Sequence, residues 1–428
     1  MISLFRVLCP LAFVILAGED TAPPVDEPLS AHCLTKDKKV IPLYSQCGQF
    51  WTTNVKLPDV VLTNRGLSPV TLAEVEIVGM AEGRHVATNS LADGLDEVVG
   101  QTNTQFARRL GNDSLDDVSD PHLATGFGTM AFGGTKLSKD ITIDAGESAV
   151  VLLSRCLFFS YTGLAKVDDL RVTLTVQDGA VRKTVACPVN FTPYETKGDY
   201  MFPLKGDLCV SNLPMNLTQH RMALSQEFAF DVMGAGPIVD GHGPFLRSPE
   251  AQNLTDYPIF HREVLAVGNG TVVDVGAAFP ESLMSNPAEF SEERFRDLGT
   301  ELIEKIGYLN YLSGNYIVID HENGEFSFYS HLSENSIRVQ PGDRVAPGDV
   351  IAAVGNTGHS SEPHLHFQLM DSNDFSTANG LPVMFTDVPA SAINQNCTAS
   401  NALTGTDYVI LRIREDDTGA IESTDSQR

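Results

Sequence analysis

The sequence predicts a mainly β protein of two units. The first is an N-terminal β-sandwich, immunoglobulin-like, over residues 30–198. The second is an antiparallel β-sheet domain over residues 203–392 with a short helical insertion. Three observations predict it. Short apolar or alternating runs recur along both halves, separated by Gly, Pro, Asn and Asp. The length of 428 residues suffices for two cores. A helical period stands out only between Ala278 and Gly314.

Residues 1–18 read as a signal peptide for export. Arg6 gives a positive charge, Val7 to Ala17 is mostly apolar but short for a membrane span, and an acidic, proline-containing stretch follows. In the sandwich, Val55–Leu57, Val60–Leu62, Val75–Val78, Ile141–Ile143, Ala149–Leu153, Leu170–Val176 and Val185–Val189 read as strands between turn signals. Residues 92–135 are polar and read as a long loop or lid. Gly126-Phe127-Gly128 within it lacks the preceding strand and third glycine of a nucleotide fingerprint.

In the insertion, Asn286-Pro287-Ala288-Glu289 has the form of a helix start, and Phe295, Leu298, Leu302 and Ile306 follow at helical spacing, with Gly299 interrupting. From Gly314 onward short strands return, and Pro341-Gly342-Asp343 and Pro347-Gly348-Asp349 read as tight turns. Residues 393–428 are read as a C-terminal strand and a disordered acidic tail that begins near Arg414.

A net charge of −26 disfavours nucleic acid, which needs a basic footprint, and adhesion to anionic lipid. With no second long apolar run, the mature chain is expected not to be an integral membrane protein, to be exported to the periplasm or medium, and to be a monomer. Loss of the leader removes Cys9. The six remaining cysteines are consistent with disulfides in an oxidising compartment, and the pairs guessed from order and domain membership are Cys33–Cys47, Cys156–Cys187 and Cys209–Cys397.

The most informative stretch is Pro363-His364-Leu365-His366-Phe367-Gln368. On a strand, His364 and His366 point to one face and Leu365 and Phe367 to the other, so one imidazole can hold a metal while its neighbour faces a substrate. Upstream stand Gly314-Asn315-Tyr316-Ile317-Val318-Ile319-Asp320-His321, Phe328-Tyr329-Ser330-His331-Leu332, the two Pro-Gly-Asp turns and Gly355-Asn356-Thr357-Gly358. This ordered set resembles the catalytic core of the M23 family of zinc metallopeptidases, the lysostaphin-like peptidoglycan endopeptidases.

The resemblance implies a zinc (Zn2+) cofactor, peptidoglycan peptides as partner and substrate, and hydrolysis of peptide bonds through a zinc-activated water. It also implies His366 and Asp231 as metal ligands, with His331 and His364 beside the water and the substrate. His364 would act as general base or hold the water in line. His331 would stabilise the oxyanion or protonate the leaving amine.

The third ligand departs from the family's usual HxxxD, because Glu227 stands four residues before Asp231. His220, eleven residues before it, resembles a longer spacing seen in some members, and Glu227 is the alternative. His220 is favoured, because a second carboxylate would cancel the charge that activates water. The chain has no HExxH, so the Glu-based zincin arrangement is not expected. The competing reading is a degenerate, non-catalytic module of the same fold that binds or regulates cell-wall hydrolases. The presence of Asp231, His331, His364 and His366 favours the enzyme.

Overall fold

A computed structural model of the chain describes residues 28–33, 39–92, 95, 136–137, 141–151, 153, 158–211, 220–222, 224–235, 253–281, 308–375, 377–388 and 408–413. Residues 1–18, read as a signal peptide, the stretch 96–135, the Asn286–Ile306 run and the residues after Ile413 lie outside the described residues.

The first unit comprises three sheets around one core. Leu29–Cys33 pairs with Val60–Asn64, which pairs with Ser148–Val151, and Lys136–Leu137 completes that sheet. Phe158–Gly163, Phe50–Lys56 and Leu43–Cys47 form the second. Val181–Val189, Asp169–Asp178, Val70–Ala81 and Arg84–Leu91 form the third, with Thr142–Ile143 alongside. The alternation expected of Leu170–Val176 is present: Leu170, Val172, Leu174 and Val176 are buried while Arg171 is exposed. The strand orders by themselves define no immunoglobulin arrangement.

Cys33 is bonded to Cys187, with Cα atoms 5.9 Å apart. This corrects two of the guessed disulfides, Cys33–Cys47 and Cys156–Cys187. The guess joined cysteines by order in the chain, whereas the fold sets the first described strand, Leu29–Cys33, beside Val181–Val189, 154 residues on. Cys209 is buried and unbonded among the described residues, and Cys397 lies outside them.

The second unit is a nine-stranded antiparallel sheet. Its order is Arg344–Val345, Gly270–Gly276, Asn315–Asp320, Phe326–Leu332, Leu365–Met370, Phe230–Gly234, Gly206–Ser211 and Tyr408–Ile413, with Gly380–Leu381 also paired to Leu365–Met370. A short helix, Tyr308–Ser313, precedes Asn315–Asp320. The Pro-Gly-Asp turns form as expected. The Asp343 carboxylate accepts from Gln340 N and the Asp349 carboxylate from Ala346 N, the same closure used twice.

One face of this sheet buries Phe230, Val232, Tyr329, Leu365, Phe367 and Leu369 in a common core. The same core includes Ile41 and Leu43 of the first unit. Lys39 adds an ion pair to Asp371 (2.7 Å) and a backbone bond to Asn379 Oδ1 (3.0 Å), so the two units are joined by packing as well as by chain.

Candidate metal centre

The other face of the sheet carries the histidines. Phe230–Gly234 and Leu365–Met370 are neighbours in a register that sets Asp231 directly opposite His366. Because Phe230, Val232, Leu365 and Phe367 fill the core, the alternation of both strands turns Asp231 and His366 to the far side. His366 Nδ1 lies 3.2 Å from Asp231 Oδ1. His220, in the single 3-10 turn His220–Met222, brings Nε2 to 3.6 Å from Asp231 Oδ2. One donor atom from each of His220, Asp231 and His366 falls within 4.8 Å of the other two.

Glu227 stands apart from this group. It lies in the turn before the strand, and its carboxylate accepts from Arg221 Nη2 at 3.2 Å. The four-residue spacing that would align residue 227 with Asp231 holds only along a strand, and here the strand begins at Phe230.

The protonation pattern follows from partners of fixed polarity. The Ser225 carbonyl can only accept, so the Gln368 amide points its nitrogen there (3.0 Å) and its Oε1 at His366 Nε2 (2.8 Å). His366 therefore donates through Nε2, which leaves Nδ1, 3.2 Å from Asp231 Oδ1, as the nitrogen that can ligate a metal. Burial lowers the His220 pKa to about 4 against the pull of Asp231, so this ring is neutral near pH 7. Burial would raise the Asp231 pKa, but His220, His364 and His366 together hold it well below the usual carboxylate range. Two imidazole nitrogens and a carboxylate within 4.8 Å of one another are a donor set that suits a divalent cation. His220 Nδ1 is buried without a hydrogen-bond partner among the described residues.

His331 and His364 complete the ring. Their ring centroids are 4.6 Å apart, and His364 Nε2 is 3.7 Å from Asp231 Oδ1. His364 Nδ1 donates to the Glu362 carbonyl (2.7 Å) and lies 3.2 Å from Ser360 Oγ. His331 Nδ1 donates to the Thr357 carbonyl (2.8 Å). Each ring thus holds Nδ1 against a backbone carbonyl, which leaves Nε2 as the nitrogen on the metal side. Burial, reinforced by His364 and His366, puts the His331 pKa well below its ordinary value, so the ring stays neutral.

Strand periodicity alone would misplace His331. In Phe326–Leu332, Ser330 pairs with His366 and Tyr329 with Phe367, so strict alternation would send residue 331 to the core side with Tyr329. His331 instead has φ of 61°, and the ladder to Asn315–Asp320 shifts register between Asn315 and Ile317. The left-handed residue turns the imidazole onto the histidine face. Thr357 holds the neighbourhood: its Oγ1 donates to the Leu332 carbonyl (2.8 Å) and accepts from Asn315 N (2.9 Å).

His321 does not join the site. Its Nδ1 donates to the Asn269 carbonyl and its Nε2 meets Ser327 Oγ, in a network through Tyr329 that braces the sheet. His359 is exposed in the following loop. Gln368 and Ser225 were not singled out as site residues from the sequence. The available signal was Gln368 itself, two residues beyond His366 and so on the same strand face.

His220, Asp231, His331, His364 and His366 gather beside one face of the sheet, and residues 300–379 match the model of Peptidase family M23. Over that span the chain is similar to the family. His331, His364 and His366 fall inside the matched span, and His220 and Asp231 before it.

Among curated proteins the chain is similar to glycyl-glycine endopeptidase ALE-1 of Staphylococcus capitis, 43% identical over 75 residues (17% of this chain, 20% of that one). It is similar to lysostaphin of Staphylococcus simulans, 38% over 92 residues (20% and 18%), and to peptidoglycan DD-endopeptidase ShyC of Vibrio cholerae, 36% over 72 (17% and 16%). The match thus spans about a fifth or less of these relatives' length. Among solved structures, lysostaphin from Staphylococcus simulans aligns at 28% identity over 28% of this chain and 38% of that one, with a TM-score of 0.20.

Proposed function

We propose that the protein is an exported zinc metalloendopeptidase that hydrolyses peptide bonds of peptidoglycan. The observation that carries this reading is the convergence of His220, Asp231 and His366 within 4.8 Å, with His366 Nε2 engaged by Gln368 and Nδ1 on the Asp231 side. These three residues would hold zinc. The neutral imidazoles and one carboxylate would leave the occupied site with a net charge of about +1. When bound, zinc supplies Lewis acidity that polarises a scissile carbonyl and lowers the pKa of a water molecule toward about 7.

The remaining chemistry belongs to His331 and His364. Both present Nε2 as an acceptor, so either can take a proton from the attacking water before it donates one. Once protonated, the same nitrogen is a donor suited to the oxyanion or the leaving amine. His364, the more exposed, is the better placed to meet the water first. His331, buried and anchored to Thr357, is suited to the developing charge behind it.

Support for peptidoglycan as substrate comes from the M23 match and from relatives whose names state endopeptidase activity on it. No helix among the described residues is long and apolar enough to cross a membrane. The test is release of new amino groups from purified peptidoglycan, with zinc and then with a chelator. Chelator-sensitive release that His364→Ala abolishes is expected. No release from zinc-loaded protein would favour a non-catalytic module that binds cell wall or regulates another hydrolase.

A further inference from the structure

Arg221 follows His220 directly and is the largest fully buried side chain among the described residues. Its guanidinium is held from two directions. Nη2 donates to Glu227 Oε1 at 3.2 Å, which ties the beginning of the His220–Asp231 connection to its end. Nη1 donates to Asn54 Oδ1 at 2.5 Å, and Phe158 lies with its ring centroid 5.0 Å from Cζ. Asn54 and Phe158 belong to neighbouring strands of the first unit, Phe50–Lys56 and Phe158–Gly163. Asn54 pairs in register with Leu43, which packs in the core of the second unit.

We propose that Arg221 is a positioning residue for His220, and that the N-terminal unit completes the metal centre by holding Arg221 through Asn54 and Phe158. The proposal rests on the reading of His220 as a zinc ligand. Three physical points carry it. A buried guanidinium is costly unless it is paired, so Arg221 is confined to a seat to which Glu227 and Asn54 both contribute. Consecutive Cα atoms are about 3.8 Å apart, so the backbone that Arg221 fastens is the backbone that carries the His220 imidazole. The 3-10 turn that carries His220 is only three residues long and has no helical body to hold it in place. The Leu224 and Ser225 carbonyls anchor the rest of the connection to Gly380 N and Gln368, but neither contact reaches back to His220. Glu227, at the position where the family's usual motif has its histidine, would then serve the site through Arg221.

The test measures zinc affinity by competition with a chromophoric chelator, together with the visible spectrum of the cobalt-substituted protein, for full-length wild type, Arg221→Lys, Asn54→Ala and His220→Ala. Near-UV circular dichroism and melting of the zinc-free proteins are recorded alongside. Arg221→Lys and Asn54→Ala are expected to weaken zinc about tenfold or more and to change the cobalt bands, with the zinc-free fold retained. If both bind zinc within about twofold of wild type while His220→Ala loses it, Arg221 has no positioning role and the ligand reading stands. Lower melting with unchanged affinity would likewise reduce Arg221 to a packing role and overturn the proposal. If His220→Ala keeps wild-type affinity, the ligand reading itself fails. Should Arg221→Lys not fold, Asn54→Ala decides, since it leaves the Arg221–Glu227 pair intact.

Discussion

Gln368 Oε1 stands 2.8 Å from His366 Nε2, and the same amide's nitrogen donates to the Ser225 carbonyl. One side chain thereby decides which nitrogen of His366 is free to bind. Gln368→Leu removes the acceptor and leaves a buried N–H unpaired. Zinc affinity is expected to fall roughly 10–100-fold, the range for partners behind a metal ligand. Competition titration with a chelator reads it, and an unchanged constant would show that His366 needs no such support.

His331→Ala and His364→Ala are expected to separate metal binding from turnover. Neither belongs to the His220, Asp231, His366 group. Zinc content by elemental analysis should stay near wild type while peptidoglycan cleavage falls on the order of 10²–10⁴-fold. Loss of zinc in either variant would move that histidine into the ligand set.

Gly314 and Gly358 cross at the point where Thr357 meets His331. Both have positive φ, 62° and 75°, and a Cβ on Gly358 would lie 2.3 Å from Gly314 N. Gly358→Ala therefore combines a backbone penalty with a clash against main chain. A loss of about 2 kcal/mol or more in urea unfolding is expected. Activity should drop further than stability alone explains, because the Thr357 carbonyl that seats His331 is displaced. A variant as stable as wild type would refute the close crossing.

Glu325 is a buried carboxylate that accepts from Tyr194, Tyr200 (2.6 Å), Lys197 N (2.9 Å), Gly198 N (3.0 Å) and Asn323 (2.9 Å). Burial alone would raise its pKa, but these donors bring it below the ordinary value. A carboxylate depressed on folding binds fewer protons folded than unfolded. Its contribution is therefore full above the unfolded pKa near 4.5 and is lost as pH falls through the folded value. Glu325→Gln should cost about 3 kcal/mol at pH 7. The gap to wild type, followed by thermal melts, should narrow below about pH 4.5. A gap independent of pH would show that charge is not what the site stabilises.

The Cys33–Cys187 bond closes almost the whole first unit, 154 residues apart in sequence. Cys33→Ala with Cys187→Ala should lower the stability of that unit by roughly 2–4 kcal/mol, and reductant should then have no further effect on it. A non-reducing peptide map that joined Cys33 to Cys47 would contradict the pairing.

By itself the sequence determined the β class, the Pro-Gly-Asp turns, the buried alternation of Leu170–Val176 and the face shared by His364 and His366. Each follows from local rules of period and turn chemistry that a few neighbouring residues set. The resemblance of the ordered motifs pointed to Asp231 and His331 before any geometry was available. Tertiary structure alone decided three things. It placed His220 with Asp231 and His366 and gave Glu227 to Arg221, because the spacing rule fails where position 227 lies in a turn. It turned His331 to the histidine face through a positive φ that strand alternation would forbid. It joined Cys33 to Cys187 and set Asn54 against Arg221, contacts between residues 154 and 167 positions apart that only the stacking of sheets can create.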